Sequence, residues 1–155
     1  MKIRVARKDD IEGVLQLIHR FVDEGLDELG LFCDDKLARK VMEGFAEAKR
    51  SLVLIVDGQI IGILAGIITE FPLTGEKIFS EKLFYIVPEQ RKYSTTLIET
   101  LEERCTHWNI AMIIMTSFGY RERELLERYY NFRGYKYLET HFIKRLNGAD
   151  SKSNS

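Results

Sequence analysis

The sequence predicts one α/β or α+β domain, built on a mixed sheet with helices on its faces. Three observations lead to this fold class. Segment 51–87 contains three apolar stretches with short polar breaks, which is typical of a three-stranded meander. Helical and strand periodicities alternate on either side of it. A helix and a further apolar strand follow the meander, and that order normally requires a parallel crossover.

Length and charge limit the classes of protein that need to be considered. The chain has 155 residues, of which 45% are hydrophobic and 30% are charged, with a formal net charge of −1. This length corresponds to about one domain, and an all-basic nucleic-acid-binding surface is not favoured. No apolar run reaches the roughly 18 residues of a membrane-spanning helix, and the first residues do not resemble a signal peptide. We therefore expect a cytoplasmic protein without a membrane partner. Neither the two cysteines, Cys33 and Cys105, nor the three histidines have metal-site spacing, so no metal is expected.

The first half of the chain has short segments of clear periodicity. Asp9 or Asp10 can cap the first helix, and Asp34 or Asp35 the second. Asp57-Gly58 is typical of a tight hairpin turn. The elements expected here are a strand at 2–7, helices at 11–21 and 36–49, and strands at 51–56 and 59–69.

The second half continues with a long strand that ends before Pro88. Thr96 and Glu99 form a capping box at the start of the next helix. The apolar strand at 110–116 is expected to be central, with both faces covered. The elements expected here are a strand at 77–87, a helix at 95–107, the strand at 110–116, a helix at 121–132, one or two strands at 135–146, and a disordered tail at 147–155.

Two short motifs carry a resemblance to a known family. Residues 84–91, Phe-Tyr-Ile-Val-Pro-Glu-Gln-Arg, match a strand exit written V-P-E-x-R, and residues 130–135 match the pattern Y-x-x-x-G-[FY]. In this order, with a helix and a short strand between them, they resemble the GCN5-related N-acetyltransferase (GNAT) superfamily over residues 1–146. The resemblance implies a single domain over those residues, with a mixed, mostly antiparallel central sheet and helices on both faces.

The resemblance also implies a reaction. It is acyl transfer from an acyl-CoA, with acetyl-CoA as the expected cofactor, to a primary amine that attacks the thioester directly. The implied acceptor is a small-molecule or lysine-type amine, and members of the superfamily are often homodimers. A catalytically inactive GNAT-like binding or interaction module is the alternative, because the cofactor loop departs from the family pattern.

The departure is the absence of glycine from a loop that is usually [QR]-x-x-G-x-[GA]. Counting from Arg91 places Ser94 and Thr96 at the glycine positions, whereas counting back from the helix places Lys92 and Ser94 there. Glycine lets backbone N–H groups curl around a pyrophosphate, beside the positive end of a helix dipole. Serine and threonine still supply N–H groups and add hydroxyl donors. The cofactor-binding residues that the resemblance implies are the backbones of Ile86 and Val87, for the pantetheine arm and the oxyanion, and Arg91, Lys92, Tyr93, Ser94, Thr95 and Thr96, for the pyrophosphate.

Two residues match the positions of catalytic groups in the family. Tyr130 lies four residues before Gly134, and a phenol with a pKa of about 10 can protonate the leaving thiolate. Glu81 lies six residues before Val87, where a carboxylate can deprotonate the amine. The alternatives are an aromatic helix residue for Tyr130 and a solvated strand-end charge for Glu81. Tyr85 is a second groove-facing residue if residues 81, 83, 85 and 87 share one face.

Charge is distributed unevenly along the chain. Between Phe21 and Asp35 there are six acids and no base. In the family this segment borders the acceptor groove, so the cluster would attract a cationic amine; helix capping and solvation are the alternative. Arginines and glutamates interleave along the helix at 121–132, which favours a solvated face over nucleic-acid binding. The six acids are Asp23, Glu24, Asp27, Glu28, Asp34 and Asp35.

Overall fold

The computed structural model describes residues 1–26, 30–117, 123–144 and 146. The chain divides into two units, Met1–Thr116 and Ser117–Ser155. Among the described residues, no helix has the length and apolar character that crossing a membrane would require. The strands and helices are β1 (Lys2–Val5), α1 (Ile11–Phe21), α2 (Asp35–Glu47), β2 (Ser51–Val56), β3 (Gln59–Glu70), β4 (Lys77–Ile86), α3 (Ser94–His107), β5 (Met112–Ile114) and α4 (Arg123–Phe132).

The strands of the first unit form one five-stranded sheet in the order β1-β2-β3-β4-β5. β1 to β4 pair antiparallel, whereas β5 runs parallel to β4. The turn between β2 and β3 has positive φ at both Asp57 (50°) and Gly58 (79°), as expected for a two-residue hairpin. The predicted mixed, mostly antiparallel sheet is therefore confirmed.

Both faces of the central strands are buried. Leu52, Val53 and Leu54 follow one another along β2, and each is at most 2% exposed. Successive side chains of a strand point to opposite faces, so the sheet is covered on both sides. α1 packs against β3 and β4, and α3 packs against β2. The expectation of helices on the faces of the sheet is confirmed.

The acids before the first two helices have different roles. The Asp34 carboxylate accepts the backbone N–H of Leu37 at 3.0 Å, so it is the N-cap of α2. The buried Asp10 carboxylate does not cap α1. It accepts two hydrogen bonds from the Arg4 guanidinium (2.6 and 2.8 Å) and one from the Arg7 N–H (2.7 Å). Asp10 therefore joins β1 to the start of the helical layer.

The region after α3 differs from the expectation. β5 has only three residues and lies at the edge of the described sheet, so the prediction of a central strand at 110–116 is wrong. Its Met112 is 37% exposed. The strands predicted at 135–146 do not form at 135–144 or 146, and no described strand flanks the outer edge of β5. An apolar run predicts a strand, but a strand is central only when another strand pairs with each of its two edges. The predicted tail, 147–155, lies outside the described residues.

In the second unit, α4 begins at Arg123, and residues 121 and 122 lie outside the described residues. The predicted pair on its surface is present, with 3.7 Å between Arg128 Nη2 and Glu124 Oε2. Both side chains are largely exposed, so the pair contributes little to stability.

Candidate active site

β4 and β5 run side by side for only a short distance. Ile78, Phe79 and Ser80 pair with Met112, Ile113 and Ile114, and the described part of β5 ends there. β4 continues to Ile86. The β4 edge from Lys82 to Ile86 therefore lies beyond the paired segment. An open strand edge presents unpaired N–H and C=O groups that can bind an extended ligand.

Glu81 lies at the point where the paired segment ends. Its side chain is 3% exposed, and its Oε2 accepts the backbone N–H of Thr116 at 2.9 Å. Burial raises the pKa of Glu81 to about 7, although the bonds from Thr116 and the charge of Lys82 oppose the rise. The alternative of a solvated strand-end charge is therefore wrong. A buried carboxyl with a pKa near neutrality can exchange a proton at physiological pH.

A β-bulge changes the face to which Glu81 points. Gly66 pairs with Glu81 and Ala65 pairs with Leu83, so Lys82 is an extra residue on β4. Paired residues share a face, and the neighbouring Ala65 and Gly66 lie on opposite faces. Glu81 is therefore on the face opposite to Leu83 and Tyr85. The expectation that residues 81, 83, 85 and 87 share one face is wrong, because strict alternation holds only in a regular strand.

The backbone at the end of β4 offers one of the two expected donors. The Val87 N–H donates to the Ile61 carbonyl at 3.0 Å, so this group is occupied within the sheet. Adjacent residues of a strand direct their backbone groups to opposite sides. The Ile86 N–H and C=O therefore point away from β3, towards the edge that β5 leaves. The expectation that Val87 donates to an oxyanion is wrong for this conformation, whereas the Ile86 N–H faces the open edge and its role stays a prediction.

The segment after β4 is helical from its start. A 3₁₀ helix, Pro88–Tyr93, runs directly into α3, and the Ser94 N–H donates to the Arg91 carbonyl. The predicted capping box at Thr96 is wrong, because α3 begins earlier, at Ser94. No residue here has a positive φ, so the amides do not curl outwards as a glycine loop would allow. An anion at this segment would therefore contact partly exposed basic and hydroxyl side chains instead of open backbone amides.

A cluster on the other face of β4 joins three elements. The Tyr85 hydroxyl donates a short hydrogen bond to Glu24 Oε1, and Arg91 Nη2 lies 2.9 Å from Glu24 Oε2. The Tyr85 ring contacts the Phe21 ring at a centroid distance of 5.7 Å. Burial and the Glu24 carboxylate raise the pKa of Tyr85. We call Glu24, Tyr85 and Arg91 the Glu24 cluster.

The Glu24 cluster was not found by sequence reasoning. In the sequence Glu24 is one of six acids between Phe21 and Asp35, and the family resemblance predicts that Arg91 faces a phosphate. Glu24 is 61 residues from Tyr85 and 67 from Arg91, so no local spacing signals the contact. Of the other acids, Asp34 caps α2, while Asp27 and Glu28 lie outside the described residues.

Tyr130 belongs to the second unit and lies in a helix-ending motif. Gly134, with a φ of 86°, follows α4; its N–H donates to the Asn131 carbonyl and the Tyr135 N–H donates to the Tyr130 carbonyl. These two bonds define a Schellman motif. The rings of Tyr130 and Tyr135 are 5.5 Å apart, which is the apolar contact that accompanies such a motif. Helix capping alone thus explains why Tyr130, Gly134 and Tyr135 occur together.

Comparison with known proteins yields structural similarity without sequence similarity. No family model and no curated protein matches the sequence. A ribosomal-protein-alanine N-acetyltransferase from Brucella melitensis has a TM-score of 0.70 at 14% identity, with 94% of this chain and 100% of that chain covered. A GNAT family acetyltransferase from Staphylococcus aureus has a TM-score of 0.64 at 22% identity, with 94% and 98% covered.

A third similar structure contains a ligand. It is an aminoglycoside N-acetyltransferase in complex with CoA, with a TM-score of 0.68 at 17% identity and 94% of each chain covered. Identities this low establish the fold and leave the chemistry to the residues. The mixed sheet, the divergence of β4 from β5 and these similarities agree, and the chain has the fold of the GCN5-related N-acetyltransferases.

Proposed function

We propose that the chain is an acyl-CoA-dependent N-acyltransferase that transfers an acetyl group from acetyl-CoA to a primary amine. The observation that carries this proposal is Glu81, a buried carboxyl with a pKa of about 7 at the divergence of β4 and β5. A general base is most efficient when its pKa lies near the working pH. The structural similarities, one of them to a CoA complex, favour acetyl-CoA as the donor.

Each step is assigned to a residue of this chain. Glu81 accepts a proton from the ammonium group of the acceptor, directly or through water, and the free amine then attacks the thioester carbonyl. The Ile86 N–H donates to the oxyanion that forms, since it points to the open edge. Tyr130 would donate a proton to the thiolate as the C–S bond breaks, and the proton that the new amide nitrogen loses would restore the phenol; this assignment rests on the family resemblance. Both reactants are held side by side, which removes most of the entropic cost of their encounter.

The pyrophosphate would be held by side chains more than by a glycine cradle. Arg91 and Lys92 supply positive charge, and Ser94, Thr95 and Thr96 supply hydroxyl donors at the start of α3. The α3 dipole adds to this attraction. Tyr93 lies within the same segment, with the Lys92 ammonium 5.1 Å from the centre of its ring. These residues fit an anionic group without open amides.

The acceptor is proposed as a small-molecule or lysine-type amine. Asp23, Glu24 and Asp34 place negative charge between α1 and α2, which favours a cationic acceptor. Aminoglycoside acetyltransferases are among the similar structures. A homodimer and a cytoplasmic location remain predictions from sequence.

The first experiment is isothermal titration calorimetry with acetyl-CoA. We expect saturable binding of one acetyl-CoA per chain, and no binding at millimolar cofactor would refute the proposal. If acetyl-CoA binds, Tyr130→Phe should lower turnover and leave the cofactor Kd unchanged. Because Tyr130 also belongs to the Schellman motif, the Tyr130→Phe variant must have the same Tm as the unmutated chain for the loss of turnover to be assigned to the missing hydroxyl. Equal turnover in the variant would remove Tyr130 from the acid role.

The inactive binding module is the second candidate, and two observations favour it. The helical segment Pro88–Tyr93 replaces an open amide loop, and the Arg91 guanidinium is paired with Glu24. A chain that binds neither CoA nor acetyl-CoA would support this candidate. CoA that copurifies with the protein, identified by mass spectrometry, would exclude it.

A further inference from the structure

A histidine, a cysteine and an aspartate converge between α1 and α2. His19 lies near the end of α1, Cys33 in the connection, and Asp35 at the first position of α2. His19 Nε2 is 2.9 Å from Asp35 Oδ1, and Cys33 Sγ is 3.5 Å from the same oxygen. The three potential ligand atoms all lie within 4.8 Å of one another. We propose that His19, Cys33 and Asp35 bind a divalent transition metal of the zinc class.

The separations fit one metal ion. Bond lengths of about 2.0 Å to nitrogen or oxygen and about 2.3 Å to sulfur place tetrahedral ligand atoms about 3.3–3.6 Å apart. The two distances to Asp35 Oδ1, 2.9 and 3.5 Å, lie close to this range, and the His19 nitrogen and the Cys33 sulfur lie within 4.8 Å of each other. The side chains of His19 and Asp35 are 48% and 64% exposed. They can therefore adjust by a few tenths of an ångström without disturbing the core.

The donor set selects the class of metal. One imidazole nitrogen, one sulfur and one carboxylate oxygen suit zinc, whereas magnesium and calcium prefer oxygen ligands. The neighbouring Asp34 carboxylate caps α2, so Asp35 supplies the metal-binding oxygen. Three protein ligands leave the fourth tetrahedral position to water or another small ligand. The ligands at positions 19, 33 and 35 match no sequence motif, because folding brings α1 to the start of α2.

Other uses of these groups are less favoured. An ion pair between His19 and Asp35 requires no sulfur, yet Cys33 lies against the same carboxylate. A nucleophilic cysteine needs a cationic environment that stabilises the thiolate. Cys33 Sγ instead lies 3.5 Å from the Asp35 carboxylate, and Asp34 is the next residue in the chain. A metal cation balances this negative surrounding.

Cobalt titration of the metal-free protein is the direct test. Co²⁺ replaces zinc in such sites, and a thiolate ligand produces a charge-transfer band in the near-ultraviolet. We expect one Co²⁺ per chain and a band that zinc abolishes. Cys33→Ser should lose the band, whereas Cys105→Ala, at a buried cysteine on α3, should keep it. A band that persists in Cys33→Ser, or no band in the unmutated protein, would overturn the proposal.

Zinc affinity tests the other two ligands. His19→Gln and Asp35→Asn should each weaken zinc binding at least about tenfold, while the control His107→Gln should not. His107 is an exposed histidine of α3 whose Nδ1 lies 2.8 Å from the Glu103 carbonyl oxygen. Zinc should raise the Tm of the unmutated chain, since it binds the folded state and links α1 to α2. Equal zinc affinity in all variants would mean adventitious binding and would refute the site.

Discussion

Two glutamates that contact β4 or belong to it lie in contrasting environments. Glu81 is buried at the divergence from β5, where its carboxylate accepts the Thr116 N–H and burial raises its pKa to about 7. Glu24 contacts the opposite face of β4 near its C-terminal end, where a phenol and a guanidinium both donate to it. Both residues are glutamates. The Glu81 carboxyl, with its raised pKa, suits proton exchange, whereas the Glu24 carboxylate joins Tyr85 on β4 to Arg91 in the segment that follows. Partners and burial decide the chemistry of a glutamate.

Glu81→Gln should have the largest effect. The amide oxygen can still accept the Thr116 N–H, but the side chain can no longer take a proton. We expect kcat for acetyl transfer to fall by about 10²–10⁴-fold with an unchanged Kd for acetyl-CoA. Steady-state kinetics with a primary amine measure this, and Glu70→Gln, at the exposed end of β3, is the matched control. Unchanged turnover would show that Glu81 only joins β4 to the chain after β5.

The pH dependence of stability separates the two glutamates further. Between pH 4.5 and about 7 the folded chain keeps a proton on Glu81 that the unfolded chain has released. The free energy of unfolding should therefore fall as pH rises through this window, by at most about 3 kcal/mol. Urea unfolding across this range measures the fall. The Glu81→Gln variant should lack this contribution, and identical pH profiles would contradict the raised pKa.

The bulge beside Glu81 can be tested through Gly66. A Cβ at this position would lie 2.5 Å from the Ser80 carbonyl oxygen and from the Phe79 ring. Gly66→Ala should therefore lower the free energy of unfolding by about 1–3 kcal/mol. Gly44→Ala, in open space on α2, should raise it by up to about 1 kcal/mol. Equal unfolding midpoints for the two variants would show that β4 relaxes around the added methyl group.

The Glu24 cluster should give the smallest effect. Glu24→Gln weakens the hold on Arg91, so Arg91 becomes freer to bind the cofactor pyrophosphate. We expect the Kd for acetyl-CoA to fall by up to about fivefold, because the Arg91–Glu24 pair is partly exposed. Glu89→Gln, which removes the acid paired with Arg20, is the control for charge alone. Weaker binding in Glu24→Gln would mean that Glu24 orients Arg91 for the cofactor.

Local patterns predicted most elements of the first unit and missed the contacts between them. β2 spans Ser51–Val56 as expected, and α1 ends at Phe21 as its apolar spacing indicates. The first turn of α3 was misplaced, because the preceding segment is itself helical and continues into the helix. The predictions of a central β5 and of strands at 135–144 were also wrong, because local periodicity does not specify which strands pair.

The sequence alone determined the fold class, the alternation of strands and helices, and Glu81 as the candidate base. The fold class and the alternation follow from periodicity and turn residues, which act over a few residues, whereas Glu81 is named through the family resemblance that the strand-exit motif carries. Only the tertiary structure decided which face Glu81 occupies, which partner holds Arg91, and that His19, Cys33 and Asp35 meet. A single bulge reverses a face, and long-range packing joins residues far apart in the chain. Interactions between residues close in the chain can be predicted from the sequence, whereas the surroundings of each side chain are decided by folding.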